Sequence, residues 1–390
     1  MQYPFITGWA HLPFGKRADG LEDMIVTVAR QAVQEAGLEP RDIGAIYLGH
    51  FNSGMSPQRC AGSLVLQADP GFRFKPATRV ENACASGSAA VHTGIRHILA
   101  GGARHVLVVG VEKMSHLSSA AAGQCLLGAC YQKEEADTHG GFAGIFGHVA
   151  NLYFERFGKQ SEVLAAIAAK NHRNGVRNPY AQLRNDLGFE FCNITSDKNP
   201  LVAGPLRRTD CSPVSDGAAA LVLSAANASG YARRKVGFRA ISQVNDYLPM
   251  SQRNMTELEG AAEAWRLALA EARVGLLDLD FAEVHDCFTI AELMIYEAMG
   301  LAPLGEGRRA IEDGWVERGG KLPVNLSGGL KAKGHPVGAT GVSMHVISAM
   351  QLAGEAPDGM QLPKAGISAV FNMGGAGVAN YVSVLQHVDY

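Results

Sequence analysis

The sequence predicts an α/β protein made of two similar halves, with a separate segment inserted into the first half. Three observations predict this fold. Helical and strand periodicities alternate along the chain, one order of motifs occurs twice, and roughly a hundred residues between two apolar strands follow neither copy. With 390 residues, the chain is long enough for two or three core-forming units.

The first copy begins with a helix over 21–36, whose apolar residues Met24, Ile25, Val28 and Ala32 share one face. A turn, "EAGLEPRD", and a buried strand, "IGAIYLGHF", follow it. Further along, the copy contains a turn at Cys84, a helix of small residues and an apolar strand over 105–111. Apolar strands that alternate with helices favour a parallel or mixed sheet covered by helices.

The second copy repeats this order from residue 261, in "AAEAWRLALAEARVGLLDLDFAEVHDCF". Its later part, "HPVGATGVSMHVISAMQLAGEA", starts at His335 and leads to a strand over 366–371. A glycine lies three residues after each unusual residue, Gly87 after Cys84 and Gly338 after His335. Two similar halves packed around a pseudo-two-fold axis would bring both helix N-termini together, and Cys84 and His335 with them.

The inserted segment is predicted over 116–212, between the first part of the N-terminal half at 1–115 and its remainder at 213–246. The C-terminal half is predicted over 247–390. A structureless connection of this length is uncommon in a compact domain, so we expect a loop-rich subdomain. It contains a concentration of basic residues: Arg173, Arg177, Arg184, Arg207 and Arg208.

Composition excludes several classes of function. The formal net charge is −2, which does not favour a nucleic-acid partner. Seven cysteines without a CxxC pair or a Cys/His ligand spacing argue against a disulfide framework and a metal centre, and fit a reducing compartment such as the cytoplasm. We expect no signal peptide, no membrane span and no peroxisomal address at the terminus "HVDY".

Four residues carry the candidate chemistry. A helix N-terminus favours the thiolate of Cys84, which could attack a carbonyl carbon, although a buried structural cysteine is the plain alternative. His335 could accept the thiol proton, and His285 in "HDCF" could hydrogen-bond to an oxyanion or its water. Cys287 could act as acid and base, whereas Asp286 is expected to be structural. This set suits acyl transfer with formation or cleavage of a carbon–carbon bond.

The motifs "NACASGSAAV", "HDCF" and "GGLKAKGHPVGATG", in this order and spacing, resemble the thiolases, and in particular the sterol-carrier-protein-2 type. "NHRNGVRNPYAQ" and "CSPVSDGAAALVL" extend the resemblance over almost the whole chain. It implies two βαβαβαββ halves in five layers, αβαβα, with an inserted loop domain that binds coenzyme A (CoA). CoA would be a co-substrate, with no permanently bound cofactor.

The resemblance also implies roles for particular residues. Cys84 would be the acylated nucleophile and its N–H part of one oxyanion hole, His335 its activator, and His285 a holder of an oxyanion-hole water. Ser242, Phe146 and Gly147 would line the pantetheine channel.

The sequence departs from most thiolases in "FNMGGAG", which places Phe371 where a second acid/base cysteine is usual and Met373 where a glycine is usual. Cys287 is the residue available to replace that cysteine. The resemblance leads us to expect acyl-CoA substrates, such as 3-ketoacyl-CoA in fatty acid or steroid degradation. Open alternatives are a retro-aldolase acting on a β-hydroxyacyl-CoA, a ketoacyl synthase, and a non-catalytic acyl-CoA or lipid binder.

Two further expectations concern assembly and charge. A homodimer or a dimer of dimers is expected, with the apolar strand over 105–111 at a sheet edge. Lys331 and Lys333 are expected to be surface charges of their loop, within reach of a CoA phosphate.

Overall fold

Strands and helices alternate through the two halves in the computed structural model, which describes residues 2–230 and 232–388. The strands are β1 (Phe5–His11), β2 (Ala45–Gly49), β3 (Ala77–Val80), β4 (His105–Glu112), β5 (Leu201–Ala203), β6 (Leu206–Arg207), β7 (Gly217–Ser224), β8 (Val236–Asn245), β9 (Phe281–Glu283), β10 (Ile367–Gly374) and β11 (Ala379–His387). The helices are α1 (Leu21–Glu35), α2 (Ser86–Leu99), α3 (Ser119–Leu126), α4 (Gln132–Glu135), α5 (Phe142–Phe157), α6 (Ser161–Val176), α7 (Gly188–Asn193), α8 (Glu259–Ala272), α9 (Thr289–Ala298), α10 (Arg308–Glu312), α11 (Gly329–Lys333) and α12 (Val337–Leu352).

The strand order shows the duplication directly. Nine strands are hydrogen-bonded in the order β3-β2-β4-β7-β1-β8-β11-β10-β9. The run β2-β4-β7-β1 of the first half is mirrored by β9-β10-β11-β8 of the second. The halves join where Phe5 and Ile6 of β1 pair antiparallel with Gly237 and Val236 of β8. β2 and β4, and likewise β9 and β10, are parallel, so each half is a mixed sheet.

Helices α2 and α12 form the layer between the two halves. α12 contacts β4 and β7 of the first half and β10 of the second, while α1 and α8 cover the outer faces. Every residue of α12 is buried, as expected of a helix that is apolar around its whole circumference. The result is the five-layered αβαβα arrangement that the resemblance implied.

Glycines allow the two central helices to touch through their backbones. A Cβ atom at Gly87 of α2 would lie 2.7 Å from the backbone nitrogen of Val342 in α12. A Cβ atom at Gly341 of α12 would overlap the backbone nitrogen of Ser88. The turns that precede these helices, and carry Cys84 and His335, are therefore neighbours.

Between β4 and β7, the chain forms the helices α3 to α7 and the small β5-β6 sheet. This segment packs against the second half through a fully buried ion pair, in which Lys170 Nζ of α6 lies 2.6 Å from Glu292 Oε1 of α9. It therefore contacts the half that carries the "HDCF" sequence.

The strand over 105–111 does not lie at a sheet edge, contrary to the prediction. β4, which contains 105–111, pairs with β2 on one side and β7 on the other, so its apolar character reflects a central position. The sheet instead ends at β3 and β9, and β9 is covered by backbone hydrogen bonds between Ala282 and 323–325. Among the described helices, none has the length and apolarity needed to cross a membrane.

Candidate active site

Cys84 lies in a tight turn immediately before α2. The turn holds Ala83 at a φ of 50°, a left-handed conformation that side chains disfavour. Cys84 is only 2% exposed, and this burial raises the pKa of its thiol to about 12. The backbone N–H groups of Gly375 and of Cys84 itself lie beside the sulfur and lower the pKa, but by less. The resting residue is therefore a thiol that needs a base.

His335 is positioned to be that base. Its Nδ1 lies 2.7 Å from Thr340 Oγ1, and the Thr340 hydroxyl donates to the carbonyl of Pro336 at 3.1 Å. Because the hydroxyl has one proton, it accepts from Nδ1–H, which leaves a lone pair on Nε2. Burial, and then the charge of Lys333, lowers the pKa of His335 to about 3, so the ring is neutral near pH 7. Its Nε2 has no hydrogen-bond partner among the described residues.

His285 is held in the opposite tautomer by Asn372 of β10. Asn372 Nδ2 donates to the Cys84 carbonyl at 3.2 Å and lies 2.9 Å from His285 Nδ1. A carbonyl can only accept, so the nitrogen of the amide is fixed on this side and Nδ1 of His285 accepts. The proton of the ring is then on Nε2. Burial, followed by His335, lowers the pKa of His285 well below its usual value, so this ring is also neutral.

The three side chains converge on one point. The Cys84 sulfur and one nitrogen from each of His285 and His335 all lie within 4.8 Å of one another. The two rings meet edge to face, with centroids 5.1 Å apart. One imidazole therefore offers a proton donor and the other a proton acceptor beside the same thiol.

These residue types also bind metal ions, which require lone pairs on both nitrogens and a thiolate. The contact between Asn372 and His285 places a proton on the nitrogen that would bind the metal, and burial keeps Cys84 protonated. The arrangement therefore suits proton transfer better than metal coordination.

A cavity of about 310 Å³ opens onto this group, and Cys287 lines it too. Its walls come from the inserted segment and from both halves: Cys84, Met114, Ser119, Gly123, Leu126, Gly140, Phe142, Ala143, Val202, Cys211, Ser212, Pro213, Val214, Cys287, Phe288 and His335. Burial, and next the neighbouring Cys84, raises the pKa of Cys287 well above its usual value, so it is a proton-carrying thiol. A larger cavity of about 580 Å³ near Glu134 and Arg253 is lined by none of the four candidate residues. We therefore assign the active site to the smaller cavity, because three of the four candidate residues line it.

Two buried carboxylates hold the turns that carry the candidate residues. Asp286 accepts from the backbone N–H groups of Leu330 at 2.6 Å and Lys331 at 3.1 Å, which joins the "HDCF" loop to α11. Glu112, at the end of β4, accepts from Gly338 N–H at 3.1 Å, which joins the first half to the start of α12. Asp286 thus has the structural place expected of it. Burial, and then Glu292, raises its pKa to about 7.

The three residues expected to line a pantetheine channel, Ser242, Phe146 and Gly147, do not line the cavity beside Cys84. Ser242 lies in β8 and donates to the Ala264 carbonyl, so its hydroxyl ties a strand to α8. Phe146 is buried behind Phe288 in a stacked pair, with centroids 4.6 Å apart. Gly147 packs against the backbone of Ala203. The cavity is lined instead by Ser212 and by the first turn of α5, which begins five residues before Gly147.

Strand register decides which residue of β10 faces the site. Phe371 points away from the site and packs on Trp265, with centroids 6.0 Å apart. The next residue, Asn372, faces the site, because successive side chains of a strand alternate between faces. Sequence analysis missed Asn372, and it also missed Thr340 and Gly375, whose roles need tertiary contacts to be recognised.

The two lysines of the glycine-rich loop are also not surface charges. Lys331 is 3% exposed and Lys333 is fully buried. Burial lowers the pKa of both amines.

Known proteins share this architecture and these sequence features. The family model "Thiolase, N-terminal domain" matches residues 5–227, and "Thiolase C-terminal domain-like" matches 242–387. An acetyl-CoA acetyltransferase of Methanothermobacter thermautotrophicus is 36% identical over 376 residues, which cover 95% of this chain and 96% of that protein. Sterol carrier protein 2 of Homo sapiens is 33% identical over 314 residues, 77% of this chain but only 56% of that relative.

Solved structures agree on the fold. The structure titled "Ltp2-ChsH2(DUF35) aldolase" superposes with a TM-score of 0.82 at 19% identity, covering 99% of this chain and 98% of that one. Acetyl-CoA acetyltransferase from Syntrophomonas wolfei gives 0.71 at 19% identity, with complete coverage of both chains. Together with the two family models, which account for most of the sequence, these matches lead to one conclusion: the chain belongs to the thiolase family.

Proposed function

We propose that the protein cleaves 3-ketoacyl-CoA with CoA, or runs the reverse Claisen condensation, through an acyl group carried on Cys84. The observation that carries the proposal is the convergence of the Cys84 sulfur and two imidazole nitrogens within 4.8 Å, beside a cavity that Cys287 also lines. Relatives named acetyl-CoA acetyltransferase support an acyltransferase.

In the first half-reaction, Nε2 of His335 takes the proton of Cys84 as the sulfur attacks the 3-keto carbon. The charge that develops on that oxygen is met by the N–H groups of Cys84 and Gly375 beside the sulfur. The bond between C2 and C3 breaks, and its electron pair forms the enolate of acetyl-CoA. Nε2–H of His285 donates to the enolate oxygen, Cys287 delivers a proton to C2, and acetyl-CoA leaves.

In the second half-reaction, the Cys287 thiolate takes the proton of the CoA thiol, whose sulfur attacks the acyl-cysteine carbonyl. The carbon–sulfur bond to Cys84 breaks, and His335 returns the proton to Cys84. Each thiol and imidazole regains its starting state, so the residues present balance the protons without a further group. CoA enters as a co-substrate, and the cavity between the inserted segment and Ser212 is the proposed channel for its pantetheine arm.

The covalent intermediate is the direct test. Incubation with a 3-ketoacyl-CoA, acid quenching and peptide mass spectrometry should locate the acyl group on the peptide containing Cys84, with acetyl-CoA released in equal amount. Cys84→Ser is expected to lose both signals. Cys125→Ser is the matched control, because Cys125 lies outside the converging group and should retain them. Acylation of Cys125 or Cys211 with Cys84 untouched would overturn the assignment.

The same assay separates the alternatives. A retro-aldolase would cleave a β-hydroxyacyl-CoA without CoA and without an acyl-enzyme, and an acyl-CoA binder would leave both thioesters intact. We expect turnover of the 3-keto substrate only, since Cys84 retains a base and an oxyanion site around its sulfur.

A further inference from the structure

A second cavity, of about 360 Å³, adjoins the candidate active site. The two cavities share Cys211, Ser212 and Pro213, so only this short segment separates them. The volume lies within the range of pockets that bind small molecules.

The lining of this second cavity combines apolar walls with positive charge. Leu183, Leu187 and Phe191 supply apolar surface, and the cations are Lys198, Arg208 and Lys331. No aspartate or glutamate is among its described lining residues. None of the three cations forms an ion pair with a carboxylate in the part of the chain that the structure describes.

Lys331 is the most unusual of these cations. It is 3% exposed, and burial lowers the pKa of its amine, an effect that Cys211, Cys192, Asp210 and Asp286 partly offset. A buried ammonium group is costly unless it is paired.

The two nearby carboxylates are already occupied. Asp210 accepts from Arg207 N–H and the Thr289 hydroxyl, and Asp286 accepts from the backbone of α11. An incoming anion would therefore supply the negatively charged partner that Lys331 lacks within the described residues.

His172 adds an independent indication. It is 3% exposed and lines the same cavity, and its Nδ1–H donates to the Asn185 carbonyl at 3.2 Å, because a carbonyl can only accept. Burial lowers the pKa of the ring to about 4, so Nε2 is an acceptor, and it has no partner among the described residues. A buried acceptor without a partner calls for a ligand donor or a water, so His172 indicates that a ligand enters the cavity, and the cations indicate the charge of that ligand.

We propose that this second cavity binds an anionic group of the acyl-CoA ligand, with the apolar walls holding the chain next to it. The anion is a carboxylate at the far end of the acyl group, so the ligand is the CoA thioester of a dicarboxylic acid. The identity of the whole ligand rests on the proposed function. The position favours one ligand that spans both cavities, because Lys331 of α11 lines the second cavity and His335, which follows α11, lines the first.

Binding without turnover tests the inference. In a Cys84→Ala background, which prevents acyl transfer, calorimetry would compare glutaryl-CoA with valeryl-CoA, two five-carbon thioesters that differ in a terminal carboxylate. CoA and 3′-dephospho-CoA form the second pair. The variant is Lys331→Met, and Lys159→Met is the matched control, because Lys159 is exposed and lines neither cavity. Arg208→Gln at the rim serves as a second variant if Lys331→Met does not fold.

Lys331→Met should weaken glutaryl-CoA binding by roughly tenfold or more and valeryl-CoA by less than about twofold, since charged hydrogen bonds contribute at this level. Equal weakening of both thioesters and of CoA, with 3′-dephospho-CoA little affected, would place a phosphate of CoA here instead and would contradict the proposal. Unchanged affinities for all four ligands, in both variants, would overturn the proposal. None of these results depends on whether the parent protein cleaves 3-ketoacyl-CoA.

Discussion

Hydrogen bonds to the far ring nitrogen decide what each active-site histidine can do. Thr340 accepts from Nδ1 of His335 and leaves its Nε2 a base, whereas Asn372 donates to Nδ1 of His285 and leaves its Nε2 a donor. Both rings are neutral because burial lowers their pKa values. The two imidazoles are chemically identical, so their partners, rather than the histidines themselves, assign the roles.

Replacing Asn372 by aspartate should reverse the tautomer of His285. The carboxylate would accept from Nδ1–H, and the donor at Nε2 would be lost. We expect kcat to fall by about 10²–10³, the range for loss of one oxyanion donor. Nitrogen NMR of labelled histidines checks the cause, because the protonated nitrogen of His285 should change from Nε2 to Nδ1. A fall in kcat with the tautomer unchanged would contradict this account.

Replacing Cys287 by alanine should separate the two parts of the reaction. Acylation of Cys84 by a simple acyl-CoA is the reverse of the second half-reaction, and it should slow but stay measurable, because a CoA thiolate can leave without being protonated. Cleavage of the carbon–carbon bond should fall much more sharply, because the carbanion at C2 has no proton donor. Rapid-quench acylation and acetyl-CoA release measure the two steps. Cleavage of 3-ketoacyl-CoA at the parental rate would show that another group protonates C2.

At the scale of elements, the short distance between α2 and α12 brings the two copies of the repeat into one site. Each helix starts two residues after a candidate residue, and glycines let the two backbones touch near those starts. The carboxylates of Asp286 and Glu112 then fix the neighbouring turns. The site is therefore sensitive to small changes in the spacing of this central layer.

Replacing Gly341 by alanine should force α2 and α12 apart. Its Cβ atom would overlap the backbone of Ser88, which cannot rotate away. We expect a loss of about 1–3 kcal/mol in the free energy of unfolding, as for other overpacked cores, together with loss of activity. Urea denaturation measures the first and acylation of Cys84 the second.

Gly319→Ala is the control for that substitution, because no heavy atom lies within 4 Å of its added Cβ and its φ is not positive. It should change the free energy of unfolding by less than about 0.5 kcal/mol. Equal effects of the two substitutions would show that the contact between the helices is not the cause.

At the scale of the whole molecule, buried histidines make the free energy of unfolding depend on pH. Among the described residues, seven histidines are wholly or partly buried and have a lowered pKa: His11, His92, His105, His172, His285, His335 and His345. Burial lowers the pKa of each, to about 3 for His11 and His335 and about 4 for His345. Below pH ~6.5 the unfolded chain therefore binds more protons than the folded one, and stability falls as the pH falls.

Thermal denaturation should show this loss between pH 7 and pH 5. Each such histidine contributes up to about 1.4 kcal/mol per pH unit below its unfolded pKa. Asp286, with a pKa raised to about 7, acts in the opposite direction for one proton. His345→Gln should make the free energy of unfolding less dependent on pH, by the contribution of one histidine. A transition temperature that stays constant over this range would contradict the prediction.

The sheet edge at β3 favours a homodimer, which stays a prediction. Among the described strands, β3 pairs with β2 alone, and it contains the exposed residues Thr78 and Arg79. Two copies could pair these edges about a two-fold axis, which would remove an exposed strand edge. Sedimentation at micromolar concentration should give about twice the 41.3 kDa of one chain. A species of 41.3 kDa alone would refute pairing through β3.

The sequence by itself determined the duplicated α/β fold, because helix and strand periods and repeated motifs are local patterns. It also singled out Cys84, His285, Cys287 and His335, since reactive residue types in short motifs can be recognised without coordinates. Their roles remain proposals, but the structure brings them together.

Only the tertiary structure decided which side chains complete the site. Asn372 faces it and Phe371 does not, a difference of one residue in strand register that the sequence does not reveal. The hydroxyl of Ser242 bonds to Ala264, and the residue does not line the cavity beside Cys84. β4 proved central because both its edges are paired. Lys331 and Lys333 looked like loop charges but are buried. In each case the outcome depends on contacts between residues far apart in the chain, and local patterns contain no record of them.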